Sequence, residues 1–350
     1  MKKILLIISV ISLNLHALAQ EEINPDAQTK YNEGITAFEA KNFSEAIEKF
    51  TEAINLEPKY GKAYFNRGSV YLQQQKYDNA IHDFDKAAQF LDSSQTAYFM
   101  KGTACLDKGD YPAAEEAFTK AIEKKNDEAK YFYNRGVALF QQEKYKEAVN
   151  DYNNAIDLKP NYSYAYNDRA SAKKKLGDID GAIKDYEAAV KANPKLTFAH
   201  NNLGSAKKAK GDYEGAIQSY TEAIKLKRDY YIAFNNRGSA KFDAGRYEDA
   251  IKDFTEAINL KNDYAFAYNN RAAVYIKLQK WKEAIADANK AIQIDPNYGA
   301  AYLNRAIAYE MLREIGNSCA DFLKAAELGI ESADTYYNYG FCSDYEKYKK

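Results

Sequence analysis

The feature that most constrains this chain is a unit of 34 residues written nine times without insertion, starting at Ala27, Gly61, Gln95, Ala129, Ser163, Thr197, Tyr231, Ala265 and Gly299. An alanine falls at one place in all nine units: Ala53, Ala87, Ala121, Ala155, Ala189, Ala223, Ala257, Ala291 and Ala325. Seven residues earlier a second alanine runs from Ala46 to Ala284, with Ser318 in the last unit. Between the two rows sits an aromatic residue, Phe50, Phe84, Phe118, Tyr152, Tyr186, Tyr220, Phe254 and Phe322, replaced once by Ala288. Earlier in each unit a small residue recurs, from Gly34 and Gly68 through Ala170 to Ala306. A unit this short cannot bury its own apolar face, so the period demands a stack in which each unit is covered by its neighbours.

Spacing within a unit is helical. Tyr64, Gly68 and Tyr71 share one face of a first helix, and Ala80, Phe84 and Ala87 share one face of a second. The region between them often holds glycine (Gly109, Gly177, Gly211, Gly245), and Pro58, Pro160, Pro194 and Pro296 fall where the second helix should stop. Each unit therefore reads as helix–turn–helix, with Gly and Ala where the helices approach and an aromatic filling the space beside them.

This 34-residue pattern of aromatic, Gly, Ala, aromatic, Ala and Pro resembles the tetratricopeptide repeat. The resemblance covers Ala27 to Ser332. It implies an all-α fold: a right-handed superhelical solenoid of nine units with a concave groove lined by the first helices. Solenoids of this family usually bind peptides or proteins and scaffold complexes. The expected organisation is a leader at 1–19, a short extension at 20–26, repeats at 27–332 and a capping helix at 333–350, whose polar end suits the last unit of a stack.

The nine units form an internal alignment that separates structural from binding positions. Arginine occupies one row in six of them, and sixteen residues later each of those six carries aspartate: Arg67 with Asp83, Arg135 with Asp151, Arg169 with Asp185, Arg237 with Asp253, Arg271 with Asp287, and Arg305 with Asp321. Units without the Arg lack the Asp: Lys101 goes with Ala117, Leu203 with Ser219, and Glu33 with Lys49 in reversed sign. A ligand-binding arginine would not need a matched aspartate. The covariation predicts a salt bridge between the two helices of one unit.

Asparagine precedes the Arg row as Asn32, Asn66, Asn134, Asn202, Asn236, Asn270 and Asn304, with Met100 and Asp168 as departures. No partner is seen to vary with it. The row resembles the asparagine ladder that lines the groove in some tetratricopeptide superhelices, where carboxamides hold a bound peptide's backbone; a solvated or self-satisfied polar face is the competing reading. The residue before each Asn is aromatic in the first four units (Tyr31, Phe65, Phe99, Tyr133) and Asn in the next four (Asn167, Asn201, Asn235, Asn269). Seven residues further on, Phe38, Leu72, Leu106 and Phe140 give way to Lys174 and Lys208. These rows suggest a groove with an aromatic half and an amide-lysine half. Alternatively, the apolar seam shifts by one turn, since Tyr164, Phe198, Ile232 and Phe266 restore it.

The opening "MKKILLIISVISLNLHALAQ" has a basic start, an apolar run and a small-residue site at Ala17–Ala19, the pattern of a cleaved bacterial secretory leader. Net charge is −1, or −3 without Lys2 and Lys3, which argues against a dedicated nucleic-acid or anionic-membrane binder. Export would supply an oxidising compartment, in which Cys319 and Cys342, equally far from the turn near Ile330, are placed to form a disulfide, leaving Cys105 a core thiol. The mature chain has no metal-ligand spacing among His82 and His200 and no nucleotide-binding or hydrolase motif. The family's chaperone-docking clamp is also unsupported, because its lysine is missing from the row before Asn. The expectation is an exported, periplasmic or secreted, non-enzymatic scaffold without cofactor or metal that binds an extended protein segment; the alternatives are a glycan- or cell-wall-binding solenoid and, last, the non-catalytic part of an enzyme.

Overall fold

The computed structural model describes residues 23–339 and 342. The expected leader at 1–19 lies outside the described residues, as does most of the capping segment beyond Tyr339. All regular structure among the described residues is α-helical. The chain divides into two compact units, Met1–Asp127 and Glu128–Lys350. The first holds three helix pairs: α1 (Pro25–Glu39) with α2 (Phe43–Leu56), α3 (Gly61–Gln73) with α4 (Tyr77–Phe90), and α5 (Ser94–Lys108) with α6 (Tyr111–Lys124).

In the second unit α7 (Ala129–Gln141) pairs with α8 (Tyr145–Leu158), α9 (Ser163–Lys175) with α10 (Ile179–Ala192), and α11 (Thr197–Ala209) with α12 (Tyr213–Leu226). Then come α13 (Tyr231–Asp243) with α14 (Tyr247–Leu260), α15 (Ala265–Lys277) with α16 (Trp281–Ile294), and α17 (Gly299–Met311) with α18 (Ile315–Glu327). A shorter helix, α19 (Glu331–Tyr339), follows the ninth pair and packs on α18.

The turn inside every pair is made the same way. At one place per repeat φ is positive: Lys41, Gln75, Gly109, Glu143, Gly177, Gly211, Gly245, Gln279 and Arg313. This left-handed residue lets two amides cap the helix just ended, as when Lys41 N–H donates to Phe38 and Asn42 N–H to Ala37. Glycine adopts the conformation freely; at the five other positions the side chain costs about 1–2 kcal/mol, outweighed by the two bonds and the packing of both helices. The second helix of several pairs is then capped by a side chain, Asn42, Asp110, Asp178 or Asp212, accepting from an amide in its first turn.

The alanine rows are fully buried, and the aromatic row fills the space between paired helices. The small-residue row is needed because the ring lies against it: a Cβ at Gly102 would come within 2.6 Å of Phe118, and one at Gly204 within 2.7 Å of Tyr220. At the C-terminal end Cys319 and Cys342 form a disulfide, 23 residues apart in sequence. It ties α18 to Cys342, beyond α19, and Tyr336 of α19 stacks on Phe322 of α18 at 5.1 Å. Cys105 is a buried free thiol whose pKa burial pushes up to about 11. Among the described residues no helix is long and apolar enough to cross a membrane.

Candidate functional site

In all six Arg repeats the guanidinium grips the matched aspartate through two hydrogen bonds of 2.6–2.9 Å, one from Nε and one from Nη2. The aspartates are buried, so these are desolvated, bidentate pairs rather than surface contacts. The structure adds a partner that covariation does not reveal. Nη1 donates backward to the preceding repeat's second helix: Arg67 to Thr51, Arg169 to Asn153, Arg237 to Thr221, Arg271 to Thr255 and Arg305 to Asn289. Each of these guanidiniums therefore joins three helices.

The repeats without Arg rebuild the link with other charges. Lys101 donates at 2.7 Å to Asp85, which stands at the place where those five arginines find Thr or Asn. In the repeat with Leu203 the cation moves one turn on, and Lys207 meets Glu187 at 3.1 Å. Glu33 and Lys49 lie 3.7 Å apart in the first repeat.

The asparagine row has a partner after all, 35 residues upstream. Asn202 Nδ2 donates to Asn167 Oδ1, Asn236 to Asn201, Asn270 to Asn235 and Asn304 to Asn269, at 2.8–3.1 Å. Asn66 donates to the Tyr31 hydroxyl at 2.7 Å, and at Asp168 the direction reverses, with Tyr133 O–H donating to Oδ2 at 2.8 Å. Met100 is the apolar departure, and the residue 35 before it is Phe65, which offers no polar atom. Asn134 instead donates to the Lys130 carbonyl one turn back.

Three sets of expected groove residues are thereby corrected. Asn201, Asn235 and Asn269 are buried between first helices, where they receive the ladder amides of the next repeat. Phe65, Phe99 and Tyr133 hold the same inward position and pack on the aromatic of their own second helix, Phe84, Phe118 and Tyr152, with ring centroids 5.6–6.0 Å apart. One residue is 100° of helical rotation, so the residue before each Asn looks into the stack while the Asn stands at its edge. Lys208 is also committed, to Asp243 at 3.0 Å and Ser239 at 2.8 Å. Only Lys174 of that pair keeps a cation without a carboxylate; its Nζ donates to Ser205 at 3.0 Å.

What remains open lies on the first-helix face of the second unit. Asp168 takes Tyr133 O–H on one oxygen and Asn167 Nδ2 on the other. An aspartate can only accept, so Asn167 must turn its oxygen to Asn202, and Asn202 must turn its own oxygen away. Among the described residues nothing donates a hydrogen bond to the carbonyl oxygens of Asn202, Asn270 and Asn304, and these oxygens are not sealed from solvent. Burial raises the pKa of Asp168, against the lowering effect of its hydrogen bonds from Tyr133 and Asn167. Tyr133 is raised too, first by burial and then by Asp168. Four residues before the ladder stand Tyr164, Phe198, Ile232 and Phe266, which sequence reading treated only as a shifted seam. Tyr164 is 44% and Phe266 54% exposed. Tyr164 meets Phe198 at 5.9 Å, and Phe266 lies between Tyr264 and Tyr298 at 5.6 and 5.1 Å. The i, i+4 spacing puts each of these apolar side chains beside a ladder residue.

Among the described residues no group of three or more His, Cys, Asp or Glu side chains gathers as a metal site. A search of curated proteins gave no match. Solved structures similar to the chain include a tetratricopeptide repeat protein from Parabacteroides merdae, 22% identical, with a TM-score of 0.57 over 69% of this chain and 97% of that one. Another is the C-terminal part of a TPR repeat-containing protein from Cytophaga hutchinsonii, 22% identical, TM-score 0.54, covering 67% of this chain and 97% of the other. A chain of the APC/C Cut9–Hcn1 hetero-tetramer matches at 14% identity and TM-score 0.55, covering 89% of this chain and 75% of that chain. Family profiles described as tetratricopeptide or TPR repeats match residues 31–96, 99–163, 163–196, 204–245, 238–279 and 265–298. With helix pairs, buried alanine rows and profile matches falling on the same period, this chain belongs to the tetratricopeptide repeat family.

Proposed function

We propose that the protein is an exported, non-enzymatic scaffold that holds an extended protein segment against the first-helix face of its second unit. The observation that carries this reading is that the open carbonyls of Asn202, Asn270 and Asn304 share the first-helix face with the exposed rings of Tyr164 and Phe266. Acceptor oxygens held in place by a buried partner suit the N–H groups of an extended backbone, and the aromatic row suits alternate apolar side chains. The six arginines, each tied to an aspartate, serve the stack. Family membership supports a protein-interaction role, while the basic, apolar and small-residue pattern of residues 1–19 supports export.

Selection of a random 12-residue peptide library on the immobilised protein tests the binding reading. Wild type should enrich peptides with apolar residues at alternate positions, and the double change Tyr164→Gln with Phe266→Gln should abolish enrichment without lowering the melting temperature. Equal enrichment on both proteins would refute this face as the binding surface. A glycan array run in parallel would reveal the alternative ligand class. Export is tested separately by N-terminal sequencing of the protein made in a bacterial host: a mature chain starting at Gln20 is expected, and an intact Met1 in the cytosolic fraction would refute it.

A further inference from the structure

The row seven residues beyond the inward position is apolar in repeats one to four and again at Phe242 and Ile276, and lysines interrupt it at Lys174 and Lys208. A lysine in a half-buried row is costly unless an anion accompanies it. Elsewhere on these helices the protein supplies one: Lys208 has Asp243, Lys173 has Asp185 at 2.8 Å, Lys207 has Glu187, and Lys241 has Asp253 at 2.8 Å. Among the described residues Lys174 has only the Ser205 hydroxyl. Burial and the adjacent Lys175 both push its pKa down, so it is a cation held where its charge is poorly solvated and uncompensated. The carbonyls at the end of α9 offset part of that cost. The nearest unusual acid on the same helix, Asp168, points the other way, to Tyr133 of α7 and its neighbour Asn167.

Resting on the binding reading above, we propose that Lys174 is a carboxylate-binding position, so that the segment held on this face carries an acidic side chain or its own C-terminal carboxylate between α9 and α11. A single ammonium beside a hydroxyl matches one negative charge with two acceptor oxygens. A phosphate brings close to two negative charges and three acceptor oxygens, more than one ammonium and one hydroxyl match, and the guanidiniums of the Arg row are all occupied by aspartates. Lys208, one repeat on, is already neutralised, which fixes the acid to one place rather than spreading it along the row.

The test uses the full mature chain and peptides selected from the 12-residue library. Each selected peptide is synthesised in four forms: unchanged, with its acidic residue replaced by the amide, and each of these with a free or amidated C-terminus. Affinities are read by fluorescence anisotropy on wild type and on Lys174→Met, which keeps the aliphatic stem. Replacing the acid should weaken binding about 10-fold on wild type and less than about 2-fold on Lys174→Met, because a charge-assisted bond is lost only when its partner is present. Dependence on the terminal amide instead of the side chain would assign the carboxylate to the chain end. Peptides that bind wild type equally well with and without a carboxylate would overturn the proposal and leave the groove standing. A library that yields no binder would overturn both.

Discussion

Replacing Arg271 by Met should be among the most damaging single changes available on the first-helix face. The guanidinium makes two bonds to Asp287, at 2.7 and 2.8 Å, and a third to Thr255 at 2.8 Å, so that α14, α15 and α16 meet on one side chain. Asp287 is 7% exposed and has no second cation among the described residues. Methionine fills the stem but strands the carboxylate, and breaking a buried pair from one side costs about 3–5 kcal/mol. Arg237→Met provides an internal comparison, because Asp253 would keep Lys241 at 2.8 Å. Its cost should be smaller by about 1–2 kcal/mol, the worth of a retained charge-assisted bond. The double change Arg271→Met with Asp287→Leu should recover most of the loss, since apolar replacement of a whole buried pair is often neutral or stabilising. Urea unfolding followed by circular dichroism reads all four proteins. A loss below about 1 kcal/mol for Arg271→Met, the range of exposed pairs, would refute the buried clasp.

Asn235→Ala should destabilise by about 1–2 kcal/mol in urea melts, because the Asn270 amide loses its buried acceptor; no effect would mean the ladder is surface decoration. Asp168→Asn should raise the melting temperature at pH 7. The raised pKa of Asp168 means that its charged form is penalised in the fold, a penalty complete above the folded pKa and gone below the unfolded one near pH 4. The advantage of Asn should therefore vanish as pH falls toward 4, and a pH-independent difference would refute it. Gln75→Gly should add about 0.5–1 kcal/mol by relieving a left-handed residue at φ 61°, less the greater freedom of glycine in the unfolded chain. Cys342→Ser should lower protection against hydrogen exchange in α19 by about 3 kcal/mol, the closure entropy of a loop of this size, and leave α7 unchanged.

The scaffold was legible in the sequence because its contacts repeat at the period of the pattern. Arg and Asp vary together at a fixed offset inside one repeat, and both are chemically unmistakable. The ladder's partner was hidden for two physical reasons. Its offset is 35, one residue out of register with the repeat, and two different groups fill the role: a tyrosine hydroxyl, accepting at Tyr31 and donating at Tyr133, and a carboxamide at Asn167. The inward position was misread as groove because an aromatic ring at Phe65 and an amide at Asn235 look unrelated in sequence, although both fill the gap between successive first helices. Exposure of Tyr164 and Phe266 depends on how far each ring leans off its helix, which spacing alone does not encode.

The bond that most ladder residues make to the residue 35 places before them also bears on how such a chain can change length. From the fourth repeat to the ninth both halves of that link sit at fixed places, so excising one 34-residue cassette there brings together halves of the same kind. Without residues 197–230, Asn236 would meet Asn167, and Arg237 would find Glu187 where Thr221 had been. The junction would be mended by the residues already there, with a carboxylate in place of a hydroxyl. Without residues 163–196, Tyr133 would meet Asn202, the pairing already used by Tyr31 and Asn66. The length of such a chain can therefore change by whole repeats, with the contacts at each junction supplied by residues already present.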